Sequence, residues 1–441
     1  MIMRKLLILF VILSSCSFDN KTGIWTNESQ VTSKQEDKYK EFEDIDLKTK
    51  IFNELIEKPV NLEIPLNPIF KVFKWNDEYF NNSNNFLNFS YNNLNQEISK
   101  SKKITRHATK DKILYIENNI ILTDIKGNIL VYSTASKDII YKYNFYKKKY
   151  KNIQKIISIK VENNIIYVSD NIGFIYALDY VDRKLLWAKN FNIPFRSNLK
   201  IFKDKIILAN QDNKLFFINK INGDRIKVIP TEQVILKNNF FNSLALKGNS
   251  LLFLNNYGSL YSINANNERI NWFLNLNHSI SSRSNNLFFS NPIVIYKNKL
   301  IISSDPNLYI LDYNTGTVEY KNTISSIVKP IITKENIFFI TKNNLLVCFD
   351  IVKKKIVYSI DISQMVAEYY ETKKKSINIK SAAILNNDLY VFLKNSYFIQ
   401  FNVLGKIEDI YKFKSKINSD PIFVNDSIMY LDKKNKLIIV N

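Results

Sequence analysis

The chain is poor in the residues that most often carry chemistry. Its 441 residues include two cysteines, Cys16 and Cys348, and two histidines, His107 and His278. Two cysteines cannot form a disulfide framework or a cysteine-rich metal site, and two histidines all but exclude a histidine-based metal cluster. Neither histidine lies in a nucleophile-elbow context, so a Ser-His-Asp triad is not indicated. Cys348 falls inside the apolar run Leu345–Asp350 and reads as a small buried residue. Glycine is scarce, at eight residues, and no apolar run is long enough to span a bilayer as a mature helix. Acidic residues are also in deficit: 41 against 62 basic ones, a formal charge of +21. Lysine is spread along the whole chain, and the runs Lys147–Lys149 and Lys373–Lys375 are short, so no basic stripe marks a nucleic-acid surface. A mild attraction to acidic lipid head groups is what such a charge supports.

What is abundant points to strands. Hydrophobic residues make up 46% and aromatics 13%, with many Ile, Tyr, Phe and Val, enough for a large packed core. The first 16 residues form a separate unit. Arg4 and Lys5 precede the short apolar stretch Leu6–Leu13, which ends in Leu13-Ser14-Ser15-Cys16. This ending resembles the lipobox of bacterial lipoproteins. The resemblance implies cleavage after residue 15, acylation of Cys16, and, with Ser17 next, sorting to the outer membrane. Acyl chains on one cysteine bury enough CH2 groups for stable anchoring. Residues 16–58 are polar and mixed in charge. They read as a tether with room for a short amphipathic helix between Gln35 and Glu57, and about 40 such residues reach roughly 35 Å if flexible.

From residue 59 to 441 the sequence repeats. The segment Ile165–Asp179, IIYVSDNIGFIYALD, is an apolar strand, a polar turn and a second apolar strand. The pattern recurs eight times, the second strand ending at Ser133, Asp179, Asn219, Asn264, Asp312, Asp350, Asn402 and Asn441. The spacing averages about 44 residues, a propeller-blade period. Seven endings are Asp or Asn, which can close a tight turn through backbone amides, and the residue before each is apolar. A third strand follows most copies, most clearly Arg183–Trp187. Gly127, Gly173, Gly223, Gly258 and Gly316 fall at repeat-phased turns. Sheets with two apolar faces must stack, and stacking round an axis leaves only short edges. The expectation is an all-β, eight-bladed β-propeller. The last copy lacks outer strands, so Ile69–Trp75, IFKVFKW, is expected to close the ring, with Trp75 in the place of Trp187.

Gly173-Phe174-Ile175-Tyr176-Ala177-Leu178-Asp179, with Lys184-Leu185-Leu186-Trp187 after it, resembles the PQQ-type propeller repeat. That repeat is shared by quinoprotein dehydrogenases and by BamB, the family of outer-membrane protein assembly lipoproteins. With the lipobox cysteine and eight copies, the BamB family is the better fit. It implies a non-catalytic scaffold of the BAM machinery, docked on the periplasmic POTRA domains of a BamA-type barrel protein. The implied company is other BAM lipoproteins and outer-membrane protein clients, with the membrane reached through the lipid anchor, no nucleic acid and no cofactor. The loop Trp187–Ser197 is similar to the family's docking loop and puts Arg196, flanked by Phe195, on the partner-binding position. The next inter-blade loop, Lys237–Asn242, lacks the family's acidic residues. The competing resemblance implies a periplasmic PQQ-like propeller that binds a ligand, or a degenerate quinoprotein dehydrogenase. Such an enzyme uses a Ca2+ site of clustered carboxylates and usually a Cys-Cys pair. No such pair exists here, and Asp179, Asp312 and Asp350 occupy equivalent places in different copies instead of converging.

Overall fold

In the computed structural model the chain divides into two compact units, Met1–Lys50 and Ile51–Asn441. The structure describes residues 16–18, 25–27, 52–233, 240–277 and 287–441. Within the first unit, Cys16–Phe18 pairs antiparallel with Trp25–Asn27. The amphipathic helix expected from Gln35 lies mostly outside the described residues. Residues 52–57 carry no regular structure apart from a bridge that pairs Ile56 with Ser359.

The second unit is an all-β propeller. It contains seven four-stranded sheets, spanning residues 114–144, 157–190, 200–229, 243–275, 294–322, 331–361 and 422–440, the last completed by Glu97–Lys100. The sheet at 379–412 is six-stranded, because Ile69–Phe70 and Asn88–Phe89 add in parallel to its first strand. The expectation of eight equivalent four-stranded units is therefore met by seven.

The repeat read from the sequence supplies the second, third and fourth strands of each sheet. The first strand precedes each copy, as Ile157–Glu162 precedes Ile165–Asp170. Burial grades across each sheet. Ile157–Glu162 is almost wholly buried, whereas Lys184–Asn190 is mostly exposed apart from Trp187. The first strand therefore faces the axis and the fourth faces solvent. All eight sheets share one irregularity: the register shifts between third and fourth strands just before the apolar residue of the repeat ending, at Ala177/Leu178, Phe217/Ile218, Ser262/Ile263 and their equivalents. Such a bulge bends the outer strand and raises its twist. The Asp or Asn that follows caps the next turn, as expected: the Asp179 carboxylate accepts from the Val181 and Asp182 amides at 3.0 and 2.8 Å.

Neighbouring sheets lock at their outer turns. The Trp187 ring lies over Gly223 of the next sheet, where an added Cβ would sit 2.4 Å from the ring, and its indole N–H donates to the Lys220 carbonyl at 3.0 Å. Trp272 covers Gly316 in the same way. Each of these glycines has φ near +75°, so both conformation and space demand it.

The expected closing strand is corrected. Ile69–Trp75 does not pair with the last strand. Leu437–Val440 takes Glu97–Lys100 as its antiparallel neighbour, with the same register shift that the fourth strands show elsewhere. An outermost strand is largely exposed, so it carries little apolar signal, and Glu97-Ile98-Ser99-Lys100 has one apolar residue. Trp75 is likewise not an equivalent of Trp187. It is 2% exposed and pairs with Tyr115 on the first strand of the 114–144 sheet. One continuous apolar cluster includes residues of both the 422–440 and the 114–144 sheets.

Candidate functional site: the plugged axis and the loop at Arg196

Residues 72–91 line the axis and meet the sheets in turn. The Val72 carbonyl accepts from Asn425 at 2.8 Å, beside the 422–440 sheet. Trp75 exchanges backbone hydrogen bonds with Tyr115 at 2.7 and 2.9 Å, and the Asn76 carbonyl accepts from Val161 at 3.2 Å. The Asn82 carbonyl accepts from Leu246 at 2.8 Å, and that of Ser83 from Ile295 at 3.0 Å. The Asn84 amide donates to the Leu244 and Ile293 carbonyls, and that of Asn85 to Ile332, at 2.8–3.0 Å. Asn88–Phe89 then joins the six-stranded sheet. Short asparagine side chains suit this work, because they satisfy strand-edge groups that face the axis instead of another strand. Trp75, Phe80, Phe86, Phe89 and Phe423 pack as an aromatic plug, with neighbouring centroids 4.8–6.5 Å apart.

Within the plug lies a charged knot. Asp77, 1% exposed, accepts from Lys160 and Lys200 at 2.9 Å each. Lys200 is fully buried and also donates to the Asn84 side chain at 2.7 Å and the Asn81 carbonyl at 3.0 Å. Burial alone would raise the Asp77 carboxyl, but the two ammonium groups outweigh it and hold it at about 2. Burial draws Lys200 down to about 8 against the pull of Asp77. Sequence reading missed this knot. Its partners lie 83 and 123 residues away, and Asn76–Tyr91 has the composition of a linker.

Opposite the Asn386 and Asp426 turns, the plug forms the floor of a cup of about 230 Å3. Trp75, Glu78, Tyr79 and Phe86 line the floor, and Lys112, Lys329, Lys380, Ser381 and Asp420 stand on the walls. Asp420 is engaged by Lys112 and by Lys380 at 3.4 Å, and Glu78 by Lys110 at 2.9 Å.

Phe195 and Arg196 sit on the same side of the sheets, just before the inner strand Lys200–Phe202. Phe195 is 3% exposed, its ring 5.7 Å from those of Phe191 and Phe216, so it is part of the core. Arg196 is 8% exposed. Its backbone N–H donates to Ala209 at 3.0 Å, its carbonyl accepts from Asn242 at 2.7 Å, and burial lowers its guanidinium from the usual value. Cys16 lies in a described strand whose side chains are outside the described set, and His278 lies outside the described residues. His107 is an exposed loop residue, and Cys348 is buried, with its thiol pushed up by desolvation. Among the described residues no group of three or more His, Cys, Asp or Glu could hold a metal ion, and no helix is long and apolar enough to cross a membrane.

Comparison with known proteins agrees with the repeat. The structure is similar to BamB from Moraxella catarrhalis, with a TM-score of 0.61 at 12% identity over 78% of this chain and 99% of that one. It is similar to the quinohemoprotein alcohol dehydrogenase of Comamonas testosteroni, with a TM-score of 0.62 at 8% identity over 83% and 80% of the two chains. It is also similar to the computationally designed Ika8 protein, with a TM-score of 0.57 at 11% identity over 78% and 99%. At these identities the likeness concerns the fold. No curated protein sequence matches. The sequence profile of the outer membrane protein assembly factor BamB matches residues 106–289 and 147–359, which together cover more than half of the chain. By that match, laid over the same repeats that build the sheets, the chain belongs to the BamB family.

Proposed function

We propose that the protein is a non-catalytic scaffold lipoprotein of the outer-membrane β-barrel assembly machinery. The observation that carries this reading is the BamB profile match across residues 106–359. In this reading residues 1–15 are a signal peptide, Cys16 is acylated, and the protein hangs from the outer membrane into the periplasm. It docks on the POTRA domains of a BamA-type barrel protein, alongside other BAM lipoproteins, and aids insertion of barrel clients. The propeller is eight-bladed. Support comes from the 379–412 sheet, whose last four strands repeat the pattern of the other seven sheets, and from Glu97–Lys100, which supplies the fourth strand of the 422–440 sheet.

Arg196 is the docking residue in this reading, with Phe195 packing the loop beneath it. The guanidinium suits a desolvated interface contact. Ligand binding of the quinoprotein kind draws support only from shared fold. The test is capture from detergent-solubilised membranes. A BamA-type barrel protein is expected to co-purify with the wild type and to be lost on Arg196→Ala, while Cys16→Ala is expected to release a soluble periplasmic protein. Stoichiometric binding of PQQ and Ca2+ with no barrel protein captured would refute the scaffold.

A further inference from the structure

We infer that the axial cup is a binding site for a small oxyanion, a carboxylate or a phosphate group. The inference is independent of the scaffold reading. It rests on charges and hydrogen-bonding groups that the fold brings to one cavity.

The cup's walls come from the 379–412 and 422–440 sheets and from residues that enter the 114–144, 294–322 and 331–361 sheets, and its floor is the plug. Three ammonium groups, Lys112, Lys329 and Lys380, line it, against the two carboxylates Glu78 and Asp420. Neither carboxylate is spare. Asp420 is shared by Lys112 and Lys380, and Lys380 reaches Asp111 as well at 3.6 Å. Glu78 accepts from Lys110, which does not line the cup and which also donates to the Ile157 carbonyl at 2.7 Å and to Ser158 at 3.1 Å.

Lys329 is left over. Among the described residues it makes no ion pair. Its ammonium donates to the Asn84 carbonyl and lies 3.3 Å from the centroid of the Phe86 ring. A backbone carbonyl and an aromatic face are modest compensation for a desolvated cation. Burial, with Lys112 and Lys200 nearby, pushes its pKa well below the ordinary lysine value against the smaller pull of Asp77 and Asp420.

One hydroxyl adds to the set. Tyr79 is held protonated, its hydroxyl pushed up to about 12 by burial despite Lys112 5.0 Å from its ring, so it is available as a donor. An ammonium without a carboxylate, two further ammonium groups and a protonated tyrosine in one cavity form a donor set for an oxyanion. The volume is several times that of one water, which fits a phosphate or a short dicarboxylate.

The test is isothermal titration calorimetry of the full chain in detergent with inorganic phosphate, succinate and acetate at constant ionic strength. One equivalent of phosphate or succinate is expected to bind. Lys329→Met is expected to weaken it at least about tenfold and Tyr79→Phe a few-fold, with the exposed Lys147→Met unchanged. Preference for phosphate, or for succinate and acetate, identifies which group the site takes. Without ligand, Lys329→Met is expected to melt no lower than wild type, since it removes an uncompensated cation. If it fails to fold, Tyr79→Phe decides. Three outcomes would overturn the site: no saturable binding up to about 10 mM, binding indifferent to both substitutions, or equal weakening by Lys147→Met.

Discussion

The sheets and the plug that fills their axis are held by different physics. The sheets are apolar, repeated and redundant. Ile301, Ile207 and Ile121 occupy equivalent second-strand positions, all fully buried, and each is one of many such side chains. The plug adds to its aromatic cluster a buried polar knot that is used once. Asp77 has no counterpart elsewhere, and its two lysine partners come from different sheets. Loss of a methyl group in a redundant core is shared among neighbours. Loss of the single carboxylate in a buried knot strands two cations.

That contrast can be broken by experiment. Asp77→Ala should give the largest effect, about 3–5 kcal/mol lost in urea unfolding, because Lys160 and Lys200 are left buried without a carboxylate. A cost no greater than that of a conservative core change would refute the contrast. Acid should give the next effect. The folded Asp77 carboxyl holds its proton only below about 2, against an ordinary value of 3.8. Between those values the unfolded chain binds more protons, so the stability Asp77 contributes, about 2 kcal/mol, is present above pH 4 and fades as pH falls towards 2. Asp77→Asn should flatten that limb of the stability profile, and an unchanged profile would place the acid sensitivity elsewhere. Ile301→Val should cost least, about 1 kcal/mol, and should leave the acid limb unaltered.

The same contrast explains what could be read from sequence. Strands such as Ile165–Asp170 and Phe174–Asp179 were legible because both are local, apolar and phased with seven other copies. Several inner strands, such as Lys200–Phe202 and Val294–Tyr296, are three residues long, too short to show a period. The closing strand was misplaced because Ile69–Trp75 is more apolar than Glu97–Lys100, yet an outermost strand has no need to be apolar. Residues 52–58 were assigned to the tether by their polarity, while Phe52 and Ile56 bond to backbone beyond residue 320. The Trp187–Gly223 contact was present as two separate signals, a tryptophan strand and a turn glycine, and only the fold brings them together. The axial knot and the cup left no local trace. Their residues are ordinary Asp, Lys, Asn and Ser, and what marks them is partners far along the chain.

The order of contacts along the plug has a consequence for biosynthesis. After Trp75 meets the 114–144 sheet, later plug residues meet later sheets: Asn76 the 157–190 sheet, Asn82 the 243–275 sheet, Ser83 the 294–322 sheet, Asn85 the 331–361 sheet, Asn88 the 379–412 sheet. Every one of these sheets leaves the ribosome after its own axial partner. The polypeptide is thus wound on a spindle made from its own earlier residues, and each new turn finds its place on that spindle already exposed.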